Sequence, residues 1–301
     1  MADLLECVPN FSEGRDRETI EAIGTAMQRN DVKTLDVQWD IDHNRSVYTL
    51  VGTRDAVVAA VFEGIKVATA RIDLTKHTGA HPRLGATDVV PFIPLLDTTM
   101  DVAIEASRSL GERVASELRI PVYFYEESAT RPERTNLEQI RRKGFEELRE
   151  QIGVDENRMP DIGPPKTHPT AGAIVIGARR PLIAYNIYLN TTDVAIAQNI
   201  AKIIRHSSGG LRYVKAMGFA IPERGCVQVS MNLTHHQQTA IHTVFEIVKE
   251  AAAAYGVTVT ESEVVGMTPA AALLDAAQRY LRMHHFRMEQ VLELRLLEAE
   301  F

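Results

Sequence analysis

The sequence predicts an α/β protein of the α+β type. It is read as two ferredoxin-like-related subdomains, each a mixed β-sheet with helices, with a cleft between them. Three observations lead there. β-rich runs and amphipathic helical runs follow one another in the order β-α-β-β-α-β in each half of the chain. The helical hexapeptide Val61-Phe62-Glu63-Gly64-Ile65-Lys66 is echoed by Val244-Phe245-Glu246-Ile247-Val248-Lys249, in both cases after a strand, as a duplication would leave it. No Gly-x-Gly-x-x-Gly or Walker sequence is present to favour a doubly wound sheet. At 301 residues, 45% apolar and 24% charged, the chain has the size of two domains of about 100–200 residues.

In chain order, Leu4 to Val8 reads as a strand that ends in a Pro-Asn-Phe-Ser-Glu-Gly turn. The helix after it buries Ile20, Ile23 and Met27, which recur at three and four residues. Val32 to Trp39 and Ser46 to Val51 are the next strands, joined by the polar connection Asp40 to Arg45. Thr53 then caps a helix that buries Val57, Val61 and Ile65. Val89 to Ile93 is a strand, Asp101 to Leu118 a helix and Val122 to Tyr125 a β-rich run; Arg131 to Ile152, dense in charge, reads as a surface helix. Met159 to Thr170, with Pro160, Pro164, Pro165 and Pro169, is the expected linker, giving subdomains 1–170 and 171–301. The second half repeats the pattern. Strands fall at Ala173 to Ile176 and Leu182 to Leu189, a Thr192-capped helix carries Ala197, Ile200 and Ile204, strands follow at Tyr213 to Ala220 and Val227 to Leu233, and a helix runs from Gln237 to Tyr255.

Charge and apolar patterning narrow the partners. A net charge of −7 without a Lys/Arg-dense run argues against nucleic acid and anionic membranes, leaving a small molecule as the expected ligand. No apolar run reaches the roughly 18 residues of a membrane span, and the first residues lack the basic start and apolar stretch of a signal peptide, so a cytoplasmic location is expected. Cys7 and Cys226 sit in apolar, strand-like contexts and are read as reduced core residues.

Reactive side chains concentrate in His77-Thr78-Gly79-Ala80-His81-Pro82-Arg83-Leu84-Gly85-Ala86-Thr87-Asp88, where Gly79, Pro82 and Gly85 prevent one continuous helix. An imidazole held between Ala80 and Pro82 is placed for proton transfer near neutral pH, which makes His81 the candidate acid/base; the alternative is a satisfied histidine in a connection. His77 and His81 have metal-ligand spacing, but the helix is weakened and no third ligand is evident, so no metal is expected. The pairs His235-His236 and His284-His285 are read as surface residues. In the Asp40 to Arg45 loop a carboxylate can orient an imidazole, and Arg45, like Arg83, can clamp a substrate carboxylate; the alternative for this loop is a solvated turn. The rigid stretch Gly163-Pro164-Pro165-Lys166-Thr167-His168-Pro169-Thr170-Ala171-Gly172 is either cleft lining or plain linker.

Taken together, these motifs resemble the glutamate formimidoyltransferase family, also called the formiminotransferase domain. The likeness is carried by Glu6-Cys7-Val8-Pro9-Asn10-Phe11-Ser12-Glu13-Gly14, Asn44-Arg45-Ser46-Val47-Tyr48-Thr49 and His81 to Phe92, and by Ala184 to Ile187, Val227 to Leu233, His242 to Glu246 and Leu273 to Ala277. The resemblance implies transfer of a formimidoyl group from N-formimidoyl-L-glutamate to N5 of tetrahydrofolate, a step of histidine degradation, with tetrahydrofolate as co-substrate. It implies His81 as the catalytic acid/base, the segment 163–172 as folate-binding, and a homodimer. Arg45, Arg83 and Lys166 are the cations available for carboxylates, and Asp40 is a further site candidate. A fused cyclodeaminase, found in some relatives, is not expected. Two rival activities remain: ATP-dependent closure of 5-formyltetrahydrofolate, and non-catalytic folate binding.

Overall fold

A computed structural model of the chain describes residues 3–79 and 82–298. The chain divides into two compact units, Met1–Arg179 and Arg180–Phe301. The first contains β1 (Leu4–Cys7), β2 (Asn10–Phe11), α1 (Arg17–Ala26), β3 (Val32–Asp40), β4 (Arg45–Thr53), α2 (Arg54–Arg71), β5 (Thr87–Pro94), α3 (Met100–Glu117), β6 (Val122–Glu126), α4 (Leu137–Ile140), α5 (Gly144–Gln151) and β7 (Ile174–Ala178). β4 pairs antiparallel with β3 on one side and with β1 and β2 on the other. β1 and β2 also pair antiparallel with β5. Counting β1, β3, β4 and β5 as first to fourth, the sheet order is fourth-first-third-second, the split β-α-β arrangement expected from the alternating runs. Beyond β5 the sheet continues with β7 and then β6, both parallel to their neighbours.

Helices α1, α2 and α3 cover one face. Leu5, Phe11, Ile23, Tyr48, Leu50, Ile65, Phe92 and Leu110 lie there with under 2% of their surface exposed, each contributing about 1.5–3 kcal/mol of burial. Phe11 and Tyr48 meet edge to face at 5.5 Å, and the Tyr48 hydroxyl donates to Ile20 O at 2.6 Å. Ile20, Ile23 and Met27 are buried at the spacing read from the sequence. α1 is capped by Asp16, which accepts from Glu18 N.

The opposite face of β5, β7 and β6 carries a second core, in which Val89, Tyr123, Tyr125 and Val175 pack against Ile140, Leu148 and Ile152. This corrects the reading of 131–152 as one surface helix. A positive φ at Lys143 and at Gly144 breaks the run between α4 and α5, and Ile140, Phe145, Leu148 and Ile152 are buried. The linker expectation for 159–170 is also corrected: Phe124 N donates to Asp161 Oδ2 at 2.8 Å, and Asp161 pairs with Arg134 where both side chains are 5% exposed. The division lies between Arg179 and Arg180 rather than at 170/171 because β7 is an interior strand of the first sheet.

The second unit contains β8 (Ile183–Leu189), α6 (Val194–Ile204), β9 (Val214–Ile221), β10 (Cys226–Leu233), α7 (Ile241–Ala254), β11 (Val259–Val265), α8 (Ala270–Leu281) and α9 (Leu292–Glu298). Its order, β11-β8-β10-β9, is again fourth-first-third-second. Among the described residues its strands pair antiparallel throughout, so the sheet here is antiparallel where a mixed one is expected. Ile187, Val227 and Val229 pack against Ile200 and Ile204 of α6 and Val244 and Val248 of α7. Asp193, one residue past the expected Thr192, caps α6 by accepting from Ala195 N. Helix α7 starts at Ile241 because the preceding turn buries His236 and Thr239 at 7% exposure, which also corrects the surface reading of His236. Cys7 is fully buried and Cys226 half-buried; both are free thiols. Among the described residues no helix is long and apolar enough to cross a membrane.

Candidate active site

Three loops of the first unit converge ahead of β5. Residues 12–16 follow β2, residues 41–44 join β3 to β4, and residues 72–86 join α2 to β5. Asn44 ties them together. It is 6% exposed, its Oδ1 accepts from Gly14 N at 2.9 Å, and its Nδ2 donates to Thr78 O at 3.0 Å. It sits at φ 49°, a left-handed conformation that Asn adopts more readily than most side chains. Because a carbonyl only accepts, the 3.1 Å contact from His77 Nε2 to Asn44 O places the ring hydrogen on Nε2. Burial holds the His77 pKa below its ordinary 6.5. Arg15 completes the junction, donating from Nε to Ile41 O at 3.0 Å and from Nη1 to Thr78 Oγ1 at 3.4 Å.

On the strand side of the loop, charge pairs fix the backbone. Arg83 donates from Nη2 to His77 O at 2.9 Å and to Glu146 Oε1 at 2.8 Å, so the N-terminus of α5 is clamped to the loop. Asp88, 1% exposed, accepts from Leu84 N at 2.8 Å with one oxygen and from the Arg141 guanidinium with the other. Arg45 lies in the same field. Burial, and then the charge of Arg141, push its pKa down, while Asp88 and Asp40 pull it up. Asp40, the last residue of β3, accepts at Oδ1 from His43 N at 2.6 Å and pairs with His43 Nδ1 at 2.9 Å. Burial alone would raise the Asp40 pKa, but the bonds from His43 outweigh it and hold the carboxyl below its ordinary range.

The segment 163–172 lies against this junction. Leu74 N donates to Thr170 O at 2.8 Å, Ala86 N to Ala171 O at 2.9 Å and Ala173 N to Leu84 O at 2.9 Å. Gly85 bridges to Gly172, and a side chain at Gly85 would put its Cβ 1.9 Å from Ala173 O, so only glycine lets the two stretches approach. His168 Nδ1 accepts from Ala171 N at 3.0 Å, leaving Nε2 to carry the hydrogen; burial lowers its pKa. Lys166 is exposed.

Of the residues singled out from the sequence, Asp40, Arg45 and Arg83 stand around one junction, and the segment 163–172 borders it. His81 lies outside the described residues. Sequence reasoning missed the parts that hold the junction: Asn44 as a tie, the Asp88–Arg141 pair, and Glu146 on Arg83. A polar Asn directly before a β-rich run was the one available signal for a left-handed residue; the partners of Asp88 and Arg83 lie 53 and 63 residues away in sequence. Among the described residues no group of three or more His, Cys, Asp or Glu side chains is arranged to hold a metal ion.

Comparison with known proteins adds relatives. Residues 4–179 match the sequence model of the formiminotransferase domain, N-terminal subdomain, and residues 184–297 that of the formiminotransferase domain. The chain is 46% identical over 299 residues to a glutamate formimidoyltransferase of Streptococcus pyogenes serotype M1, spanning 99% of this chain and 100% of that one. It is 48% identical over 299 residues to a glutamate formimidoyltransferase of Thermoplasma acidophilum, spanning 98% of each. A formimidoyltransferase-cyclodeaminase of Dictyostelium discoideum is 42% identical over 303 residues, of which this chain spans 56%.

Proposed function

The chain belongs to the formiminotransferase domain family, and from that premise we infer that it transfers the formimidoyl group of N-formimidoyl-L-glutamate to N5 of tetrahydrofolate, releasing L-glutamate. Likeness over the full length to two proteins named for this transfer supports the reading. The structural observation that carries it is the junction itself, where the loop leading to His81 and the segment 163–172 share hydrogen bonds from Leu74 and Ala86 to Thr170 and Ala171. A co-substrate seated on 163–172 would then lie beside the loop that supplies the acid/base.

His81 takes the proton that N5 loses as it attacks the amidine carbon. Residues 163–172 bind the folate. Arg45 and Lys166 supply cations for the donor carboxylates and the folate tail, and Arg83 serves the same purpose by exchanging Glu146 for a substrate carboxylate. The reaction runs on acid/base catalysis without a metal. The protein acts in the cytoplasm, in keeping with two free thiols, and as a homodimer.

The deciding experiment mixes purified protein, N-formimidoylglutamate and tetrahydrofolate and follows glutamate release. Release at enzymatic rate is expected, and His81→Ala should lower turnover by roughly 10²–10⁴ with tetrahydrofolate affinity within a few fold. No release above a protein-free control would refute the transfer. Consumption of 5-formyltetrahydrofolate only with ATP would favour the cyclo-ligase reading, and folate binding without any turnover the storage reading.

A further inference from the structure

Transfer of an amidine carbon between two nitrogens needs two proton movements. N5 adds to the carbon and its proton leaves; the tetrahedral centre then collapses as the bond to the glutamate nitrogen breaks, and that nitrogen takes a proton up. One proton is lost and one gained, so no oxidant or co-reactant is required. A single imidazole must exchange its roles within the lifetime of the tetrahedral centre, whereas two imidazoles can each hold one role.

The turn between β3 and β4 presents an imidazole, His43, beside the described stretch 77–79 of the loop that carries His81. Asp40 Oδ1 receives two groups of the same residue, the backbone N–H of His43 at 2.6 Å and its ring Nδ1 at 2.9 Å. An ordinary Asx turn needs only the backbone bond. The additional ring contact fixes the imidazole about its side-chain torsions, keeps the hydrogen on Nδ1, and leaves Nε2 as the atom that can exchange a proton, the arrangement by which a carboxylate orients a working histidine. The His43 side chain is 53% exposed, so Nε2 can be recharged from solvent.

The same turn is fastened to the chain that runs into His81. Asn44 Nδ2 donates to Thr78 O, and His77 Nε2 donates to Asn44 O. At Gly79 a Cβ would stand 2.5 Å from His43 O, so the backbone two residues ahead of His81 packs directly on the His43 carbonyl. Around the pair stand Arg45 at the start of β4, whose charge interacts with Asp40, the backbone N–H of Asp42, which donates to Asp40, and Arg15 from the 12–16 loop, whose Nε donates to Ile41 O.

We propose that His43, oriented by Asp40, is a second acid/base of the transfer, giving the proton to the departing glutamate nitrogen while His81 receives the proton of N5. This rests on the transfer reading above. After turnover His81 holds one proton more and His43 one fewer, and both exchange with water.

The test compares wild type, His43→Ala, Asp40→Asn and the double variant in the glutamate-release assay. Asn at position 40 retains an oxygen for the backbone N–H of His43, so the turn persists. His43→Ala should lower kcat about 10²-fold with KM for tetrahydrofolate within about threefold, Asp40→Asn about tenfold, and the double variant no further than His43→Ala alone, because Asp40 acts through the ring. Added imidazole should restore part of the rate to His43→Ala and none to wild type. Unchanged kcat in His43→Ala, or a loss that imidazole does not restore and that adds to the Asp40→Asn loss, overturns the proposal and leaves the pair as a turn. Absence of turnover in wild type overturns the transfer reading and this proposal with it, while wild-type turnover untouched by His43→Ala overturns this proposal alone.

Discussion

Replacing Asn44 separates the contributions that hold the three loops together. In Asn44→Ala, Gly14 N–H and Thr78 O each lose a partner made at 2.9 and 3.0 Å, in a place where Asn44 is 6% exposed. Each lost bond costs about 1 kcal/mol, and more where water cannot replace it. Alanine must also be held at φ 49°, a left-handed conformation that costs a residue with a Cβ about 1–2 kcal/mol. The expected destabilisation is therefore about 3–4 kcal/mol. Asn44→Gly loses the same bonds without the left-handed cost and adds about 0.5 kcal/mol of unfolded-state entropy, so it should lie near 2.5 kcal/mol. Guanidinium unfolding followed by tryptophan fluorescence reads this in the correct unit, because Trp39 is the single tryptophan and lies on β3. Turnover should fall at least tenfold in both variants, as the loop before His81 loses its tie. A variant pair within about 0.5 kcal/mol of wild type, or glycine costing more than alanine, would refute the assignment of Asn44 as the tie and of its strain.

Two further outcomes are expected. Breaking the buried Asp88–Arg141 pair from one side, by Asp88→Asn or Arg141→Gln, should destabilise the first unit by about 3–5 kcal/mol, and the double variant should cost clearly less than the sum; additive losses in a double-mutant cycle would show that the two do not act as a pair. The pKa values of His77, His168 and His236 all lie below the ordinary 6.5, burial being the first cause in each, so the folded chain binds fewer protons there than the unfolded one. Stability from these groups is complete above pH 6.5 and declines as pH falls through 6.5 towards their folded values, and urea midpoints that rise on acidification through that window would contradict the burial of these rings.

How much of this was readable in advance depends on where each signal resides. α1 was legible because one side of it is buried, so Ile20 and Ile23 recur at helical spacing, and α2, buried over most of its circumference, because its branched residues Val57, Val61 and Ile65 recur every four positions. β11 was not, because it is an edge strand whose residues are mostly exposed, and Glu261, Ser262 and Glu263 show no apolar alternation. The 131–152 region misled because its charges, Arg134 and Arg141 among them, point inward to Asp161 and Asp88 instead of outward to water. The site divides in the same way. Composition alone marked the 77–88 and 40–45 loops as chemical, and rigidity marked 163–172; the first two meet through Asn44, while the arrival of 163–172 beside them depends on β7 docking beside β5, a pairing of distant segments without any local trace.

The placement of β7 also dictates when the first unit can be completed. β5 and β6 are made early, at residues 87–94 and 122–126, yet they do not touch each other; the gap between them is filled by 174–178. During synthesis, α4, α5 and both tyrosines of β6 must wait with their apolar sides uncovered until the last strand of the unit emerges, a high-contact-order closure that is slow and exposed to aggregation. The stretch 163–172 is the leader of that strand. Its arrival against Leu74 and Ala86 is the same event as the closing of the sheet, so a nascent chain that has not finished folding holds no assembled junction.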